Sequence, residues 1–302
     1  MRGGWSLPSD KQINRWLIGA TIAPLIMVSA GEPWPWLLAV TGICGIAALF
    51  AGPVGRWGGI LQWAAAIVTL VILLPQAQRC WPTDPHPAVP LILLALAAWC
   101  AGKGIRSAAG VGCVLFWFII IMYSAMLAAM IPEVRVRYMM PTGGDSSWTT
   151  VLLLLIPAAP LMHGKRTSGW IPGVIATVAA VMTAAVLSVT VSGGVDNPFH
   201  EAVRSVKIRL EPILSAAATA GWFLLLTVLL SVCGECASRF HHKIRLPGIL
   251  VTATIAAASL LCGMHIPAWI GAIFVAISWV FLPLVTQLLE GRKKMKKSEK
   301  NP

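Results

Sequence analysis

Charge is what this sequence has least of. Charged residues are 11% of 302 positions, and only 11 of them are acidic. A soluble domain carries roughly 25% charged residues. So little polar surface cannot cover a water-facing globule, and lipid must be the solvent. Length alone would suggest two soluble domains, but a helical bundle in a membrane is one unit whatever its length. Cysteine use excludes a disulfide framework. The seven residues are an odd number, and most lie within apolar runs, where Cys behaves as a small hydrophobe. The sequence also lacks a nucleotide-binding loop, an H-E-x-x-H and a nucleophile motif. No basic patch is interleaved with aromatics. These absences argue against an enzyme, a cofactor and a nucleic-acid partner.

What is present is 57% hydrophobic sequence, cut by Pro, Gly and charge into runs at about 13–30, 35–51, 58–75, 87–102, 108–131, 148–162, 171–192, 212–237, 246–263 and 267–289. A span needs roughly 17–25 residues, so the expectation is an all-α polytopic bundle of about ten transmembrane helices. The first run has a basic start and a small-residue site at Val28-Ser29-Ala30, yet it reads as an uncleaved first span because similar segments follow. Domain organisation is expected to be one transmembrane unit over 1–291 and a basic tail over 292–302.

Orientation follows from the 23 Lys and Arg residues. With the tail inside, ten spans put both termini in the cytoplasm. The inside segments then hold Arg2, Lys11, Arg15, Arg56, Lys103, Arg106, Lys165, Arg166, Arg239, Lys243, Arg245 and the tail cations. This obeys the positive-inside rule. Glu32, Asp84, Glu133, Asp145, Asp196, Glu201 and Glu211 all fall outside. An odd span count would break the alternation. Tryptophans near the expected span ends, such as Trp34, Trp57, Trp81 and Trp269, form an aromatic belt.

The first span (LIGATIAPLIM, 17–27) and the sixth (LLLLIPAAPLM, 152–162) are both interrupted by small residues and proline. They correspond if ten spans divide into five plus five. An odd number of spans per repeat makes the repeats inverted. Interrupted helices at equivalent places in inverted repeats point to a mid-membrane site, because an unwound turn frees polar backbone in a dry medium. The alternative is ordinary proline kinks.

Glu235 is the only acid well inside an apolar run, and Arg239 at i+4 can share its face, as a structural or gating ion pair. Cys233 and Cys236 form a C-x-x-C without a supporting ligand cluster, so no metal site is expected. Spans one to seven hold no Asp, Glu, His or Lys at mid-depth, which speaks against a proton-driven pump. The stretch 193–211 reads as an amphipathic outer helix. The tail from Arg292 reads as a segment near anionic headgroups.

Several stretches resemble the spore germination permease family, the B-type membrane subunit of germinant receptors, within the amino acid–polyamine–organocation superfamily. Lys103, Gly104, Pro132 and Pro141 carry the resemblance over 98–141. Pro198, Val203 and Arg204 carry it over 197–211, and the proline-bearing last helix with its basic tail completes it. The chain is shorter than that pattern in its first half, and the acid expected soon after Lys-Gly is replaced by Ile105 or Arg106.

The resemblance implies a LeuT-like 5+5 inverted repeat with broken helices 1 and 6. Repeat one covers about 13–131, repeat two about 148–263, and a tenth helix about 267–289. It implies a small nutrient, such as an amino acid, bound by Gly19, Ala20 and Thr21 of span one and Pro157 and Ala158 of span six. It also implies the inner membrane of a spore and assembly with an A-type membrane subunit and a C-type lipoprotein. An active amino-acid permease is the alternative function.

Overall fold

A computed structural model describes residues 9–29, 56–80, 87–133, 148–156, 211–240 and 242–289, with isolated positions between these segments. Among the described residues the fold is all helix. The helices are α1 (Asp10–Ser29), α2 (Arg56–Leu73), α3 (Ala88–Gly102), α4 (Ile105–Met130), α5 (Trp148–Leu155), α6 (Glu211–Ser238), α7 (Arg245–Leu261) and α8 (Ala268–Leu289). A 3-10 stretch, Leu74–Cys80, extends α2.

Among the described residues four helices are long and apolar enough to cross a membrane: Gly58–Gln78, Ile105–Met130, Glu211–Ser238 and Ala268–Leu289. Two more, α3 and α7, are apolar but shorter. Of the expected spans 35–51 and 171–192 only scattered helical positions, such as Val40, Cys44 and Val178, are described, and the basic tail lies outside the described residues. The chain is thus a helical membrane protein by the composition and length of its described helices. Among the described residues four such helices stand where the sequence leads one to expect about ten spans over the whole chain.

Local chemistry explains several boundaries. At the start of α1, Ser9 Oγ accepts from the Gln12 N–H at 3.3 Å and Gln12 Oε1 accepts from the Ser9 N–H at 3.0 Å. This reciprocal capping box gives the Ser9 N–H a partner and reinforces the Gln12 N–H, which also donates to the Ser9 carbonyl at 3.0 Å. Between α3 and α4 the chain reverses at Gly104, whose φ of 107° lies where a side chain would strain the backbone. Expected span six begins as foreseen but its α-helix stops at Leu155, just short of Pro157. Proline disfavours a helical conformation in the residue before it.

The hub is α6, apolar on every side and, beyond its first two turns, largely buried. It packs against α1, α2, α3, α4 and α7. Glycines set the closest approaches. A Cβ on Gly221 would collide with Ala23, one on Gly112 with the Trp16 ring, and one on Gly248 with Ala237. The pairings Trp16–Gly112 and Gly19–Phe116 make α1 and α4 parallel, whereas Gly19–Leu224 and Ala23–Gly221 make α1 and α6 antiparallel. In contrast to α6, α4 turns a broad apolar face outward, with Val114 72% and Ile121 56% exposed. Such a face is at home only against lipid or another apolar partner.

These pairings gather the starts of α1, α2, α4 and α7 with the ends of α3, α6 and α8 at one end of the bundle. Gly102 meets Leu246, Gly58 meets Leu282, and Gly59 faces Arg239. Arg15, Lys103, Arg106, Arg239, Lys243 and Arg245 therefore share one basic end.

Candidate functional site

Gly19, Ala20 and Thr21 lie at the middle of α1. The first helix is not broken there, contrary to the expectation: α1 is one 20-residue helix with Pro24 inside it. Packing from α4 and α6 holds it together. A Cβ on Gly19 would stand 3.2 Å from Leu224 Cδ1 and 3.4 Å from Phe116 Cα, so this glycine serves helix contact. Thr21 is buried, and its hydroxyl donates to the Leu17 carbonyl at 2.6 Å within its own helix.

Proline still leaves its mark. Pro24 has no N–H, so the Ala20 carbonyl loses its i+4 donor although the helix continues. Trp16 on α1 and Trp222 on α6 are fully buried, and the indole N–H of each lacks a hydrogen-bond partner. An orphaned buried donor costs about 1–3 kcal/mol. The helices on which the expected ligand segment packs thus carry two unsatisfied donors and one freed acceptor. Pro157 and Ala158 lie outside the described residues.

A second polar cluster sits at the basic end. The structure does not pair Glu235 with Arg239. Glu235 lies 3.4 Å from Arg245 at the start of α7, with both side chains about a third exposed. Arg239 turns instead to α2, where its Nη1 donates to Gln62 Oε1 at 2.9 Å and to the Val54 carbonyl at 3.4 Å. An i+4 pair is worth only about 0.3–0.5 kcal/mol, and a buried amide is a better partner for a guanidinium that must be satisfied.

Gln62 is fully buried, and its Nε2 donates to the Ser278 carbonyl at 3.4 Å. Ser278 lies in a π-helical stretch of α8, Ala276–Phe281. There the Leu282 N–H bonds to the Ile277 carbonyl, five residues back. The next donor in that register would be residue 283, which is proline. The Ser278 carbonyl is left open, and Gln62 supplies the missing donor. Nearby, Trp63 Nε1 donates to Thr252 Oγ1 at 2.9 Å, joining α2 to α7.

Sequence reasoning missed Gln62, Arg245 and Ser278. A signal existed for one of them: Gln62 is a lone amide in an apolar run. Cys233 and Cys236 are both buried on α6, and among the described residues no group of three or more His, Cys, Asp or Glu could hold a metal ion.

Compared with known families and curated proteins, the chain matches no family model and no curated protein.

Proposed function

We propose that this chain is the membrane subunit of a nutrient germinant receptor, which binds a small nutrient such as an amino acid and triggers spore germination. The observations that carry the reading are Pro24, which deprives the Ala20 carbonyl of its i+4 donor within α1, and the buried indole donors of Trp16 on α1 and Trp222 on α6, which lack a hydrogen-bond partner. An amino acid offers a carboxylate to such donors and an ammonium to such a carbonyl. In this reading ten spans form two inverted halves, and Pro157 and Ala158 of span six complete the nutrient site. Both termini are cytoplasmic in the inner membrane of the spore, and an A-type subunit and a C-type lipoprotein complete the assembly.

A receptor needs only that the nutrient bind one state of the bundle more tightly than another. An ion-coupled pump needs titratable groups within the membrane. The acids of α1 and α6 stand in first turns (Asp10, Glu211) or at the basic end (Glu235), none at mid-depth. This favours sensing over pumping.

The test is deletion of the gene in its host, with spores challenged by single amino acids, and complementation with wild type or Thr21→Leu. Loss of one nutrient response, restored by wild type and not by Thr21→Leu, is expected. Normal germination to every nutrient in a host without a paralogue would sink the receptor. Saturable, gradient-dependent uptake into proteoliposomes would replace it with the permease.

A further inference from the structure

One groove on the outer surface has a charged end. It runs between α3 and α7, encloses about 710 Å³, and is walled by Leu91, Leu94, Ala98 and Trp99 on one side and Leu250 and Thr254 on the other. Its walls are apolar; the Thr254 hydroxyl donates to the Leu250 carbonyl at 2.9 Å and is satisfied within its own helix. Lys103 closes the basic end, its Nζ 5.5 Å from the centre of the Trp99 ring.

Length and charge together define the occupant. From Leu91 to Lys103 the helix rises roughly 18 Å. One leaflet is about half of a hydrocarbon core roughly 30 Å thick. The groove therefore reaches from headgroup level to about the bilayer midplane. At its mouth, Gly104 caps α4 without a side-chain hydrogen bond, so the first-turn N–H groups of a 26-residue helix open toward the same end. Arg106 is exposed in that turn, whereas Arg245, beside the groove residue Leu246, is already paired with Glu235. A neutral lipid would leave the exposed Lys103 and Arg106 without a counter-charge. A transmembrane helix of a partner would run past the midplane, beyond the groove.

We propose that this groove binds an anionic phospholipid, with one acyl chain between α3 and α7 and its phosphate at Lys103 and the first turn of α4. The inference rests on the membrane character of the chain and is independent of the nutrient reading. It also gives the Lys103–Gly104 pair a physical task.

The test is native mass spectrometry of the full chain released from nanodiscs of equal dioleoyl phosphatidylglycerol and dioleoyl phosphatidylcholine. Preferential retention of phosphatidylglycerol is expected. Lys103→Gln should lower that retention roughly fivefold, as loss of one headgroup cation implies. Its melting temperature should be unchanged, because Lys103 is exposed. Ala98→Phe, which fills the groove, should lower retention of both lipids. Equal retention of the two lipids by wild type, or retention insensitive to Lys103→Gln, would overturn the proposal. A benzophenone amino acid at Leu250 should crosslink to give adducts of lipid mass; adducts with a second copy or another protein would also overturn it.

Discussion

The Arg239 guanidinium donates to the Gln62 amide oxygen at 2.9 Å across 177 positions of sequence. The same amide donates onward to Ser278, so one glutamine ties α6, α2 and α8 together. Hydrogen bonds to charged groups contribute about 1.5–3 kcal/mol, and a partner left behind in a buried place costs more than a pair removed together. Gln62→Leu is therefore expected to destabilise the detergent-solubilised protein by about 2–3 kcal/mol. Arg239→Met combined with Gln62→Leu should cost clearly less than the sum of the single changes. Additive melting shifts across that double-mutant cycle would show that the contact carries no coupling.

Pro283 explains why the amide is needed at all. Restoring a backbone donor by Pro283→Ala should let the Ser278 carbonyl pair within α8. Gln62→Leu should then cost about 1 kcal/mol less in the Pro283→Ala background than in wild type, the worth of one ordinary hydrogen bond. Equal costs in the two backgrounds, measured by thermal unfolding in the same detergent, would refute the π-register account.

These two relationships mark where sequence reading reaches and where it stops. Helix positions were legible, because hydrophobic runs and their Pro, Gly and charge boundaries are local signals. The expected spans 108–131, 212–237 and 246–263 lie close to Ile105–Met130, Glu211–Ser238 and Arg245–Leu261. Partner choice was not legible. The i+4 rule joined Glu235 to Arg239 because it sees one helix, whereas the bundle offers Arg239 a buried amide on α2 and Glu235 a cation on α7. The break expected in the first helix failed for a similar reason. Gly19 looked like a point of unwinding, but it is where Leu224 and the Phe116 backbone come close. Packing on both sides keeps α1 helical despite Pro24.

Trp16 and Gly112 offer a direct measure of that packing. A Cβ on Gly112 would overlap the Trp16 ring, which is fully buried. Overpacking a filled interior typically costs about 1–3 kcal/mol. Gly112→Ala should fall in that range by thermal unfolding. Trp16→Gly should itself be destabilising, but in its background Gly112→Ala should become nearly neutral, since the ring and the Trp16 Cβ that crowd the added methyl are both gone. A Gly112→Ala cost that persists without any Trp16 side chain would place the clash elsewhere.

Pro24 separates stability from function. A proline inside a helix costs about 3 kcal/mol or more in water, through its missing N–H and its clash with the preceding turn. Pro24→Ala returns a donor to the Ala20 carbonyl and should raise the melting temperature of the purified protein. If that carbonyl takes part in holding the nutrient, the same change should weaken the response, because the acceptor is now satisfied within α1. The expected result in germinating spores is at least a tenfold rise in the nutrient concentration giving a half-maximal response. Ordinary damage lowers stability and activity together, so a more stable yet less responsive protein cannot be ascribed to misfolding. A more stable protein with an unchanged response would mean that Pro24 serves only to shape α1, and the nutrient site would have to be sought away from Ala20.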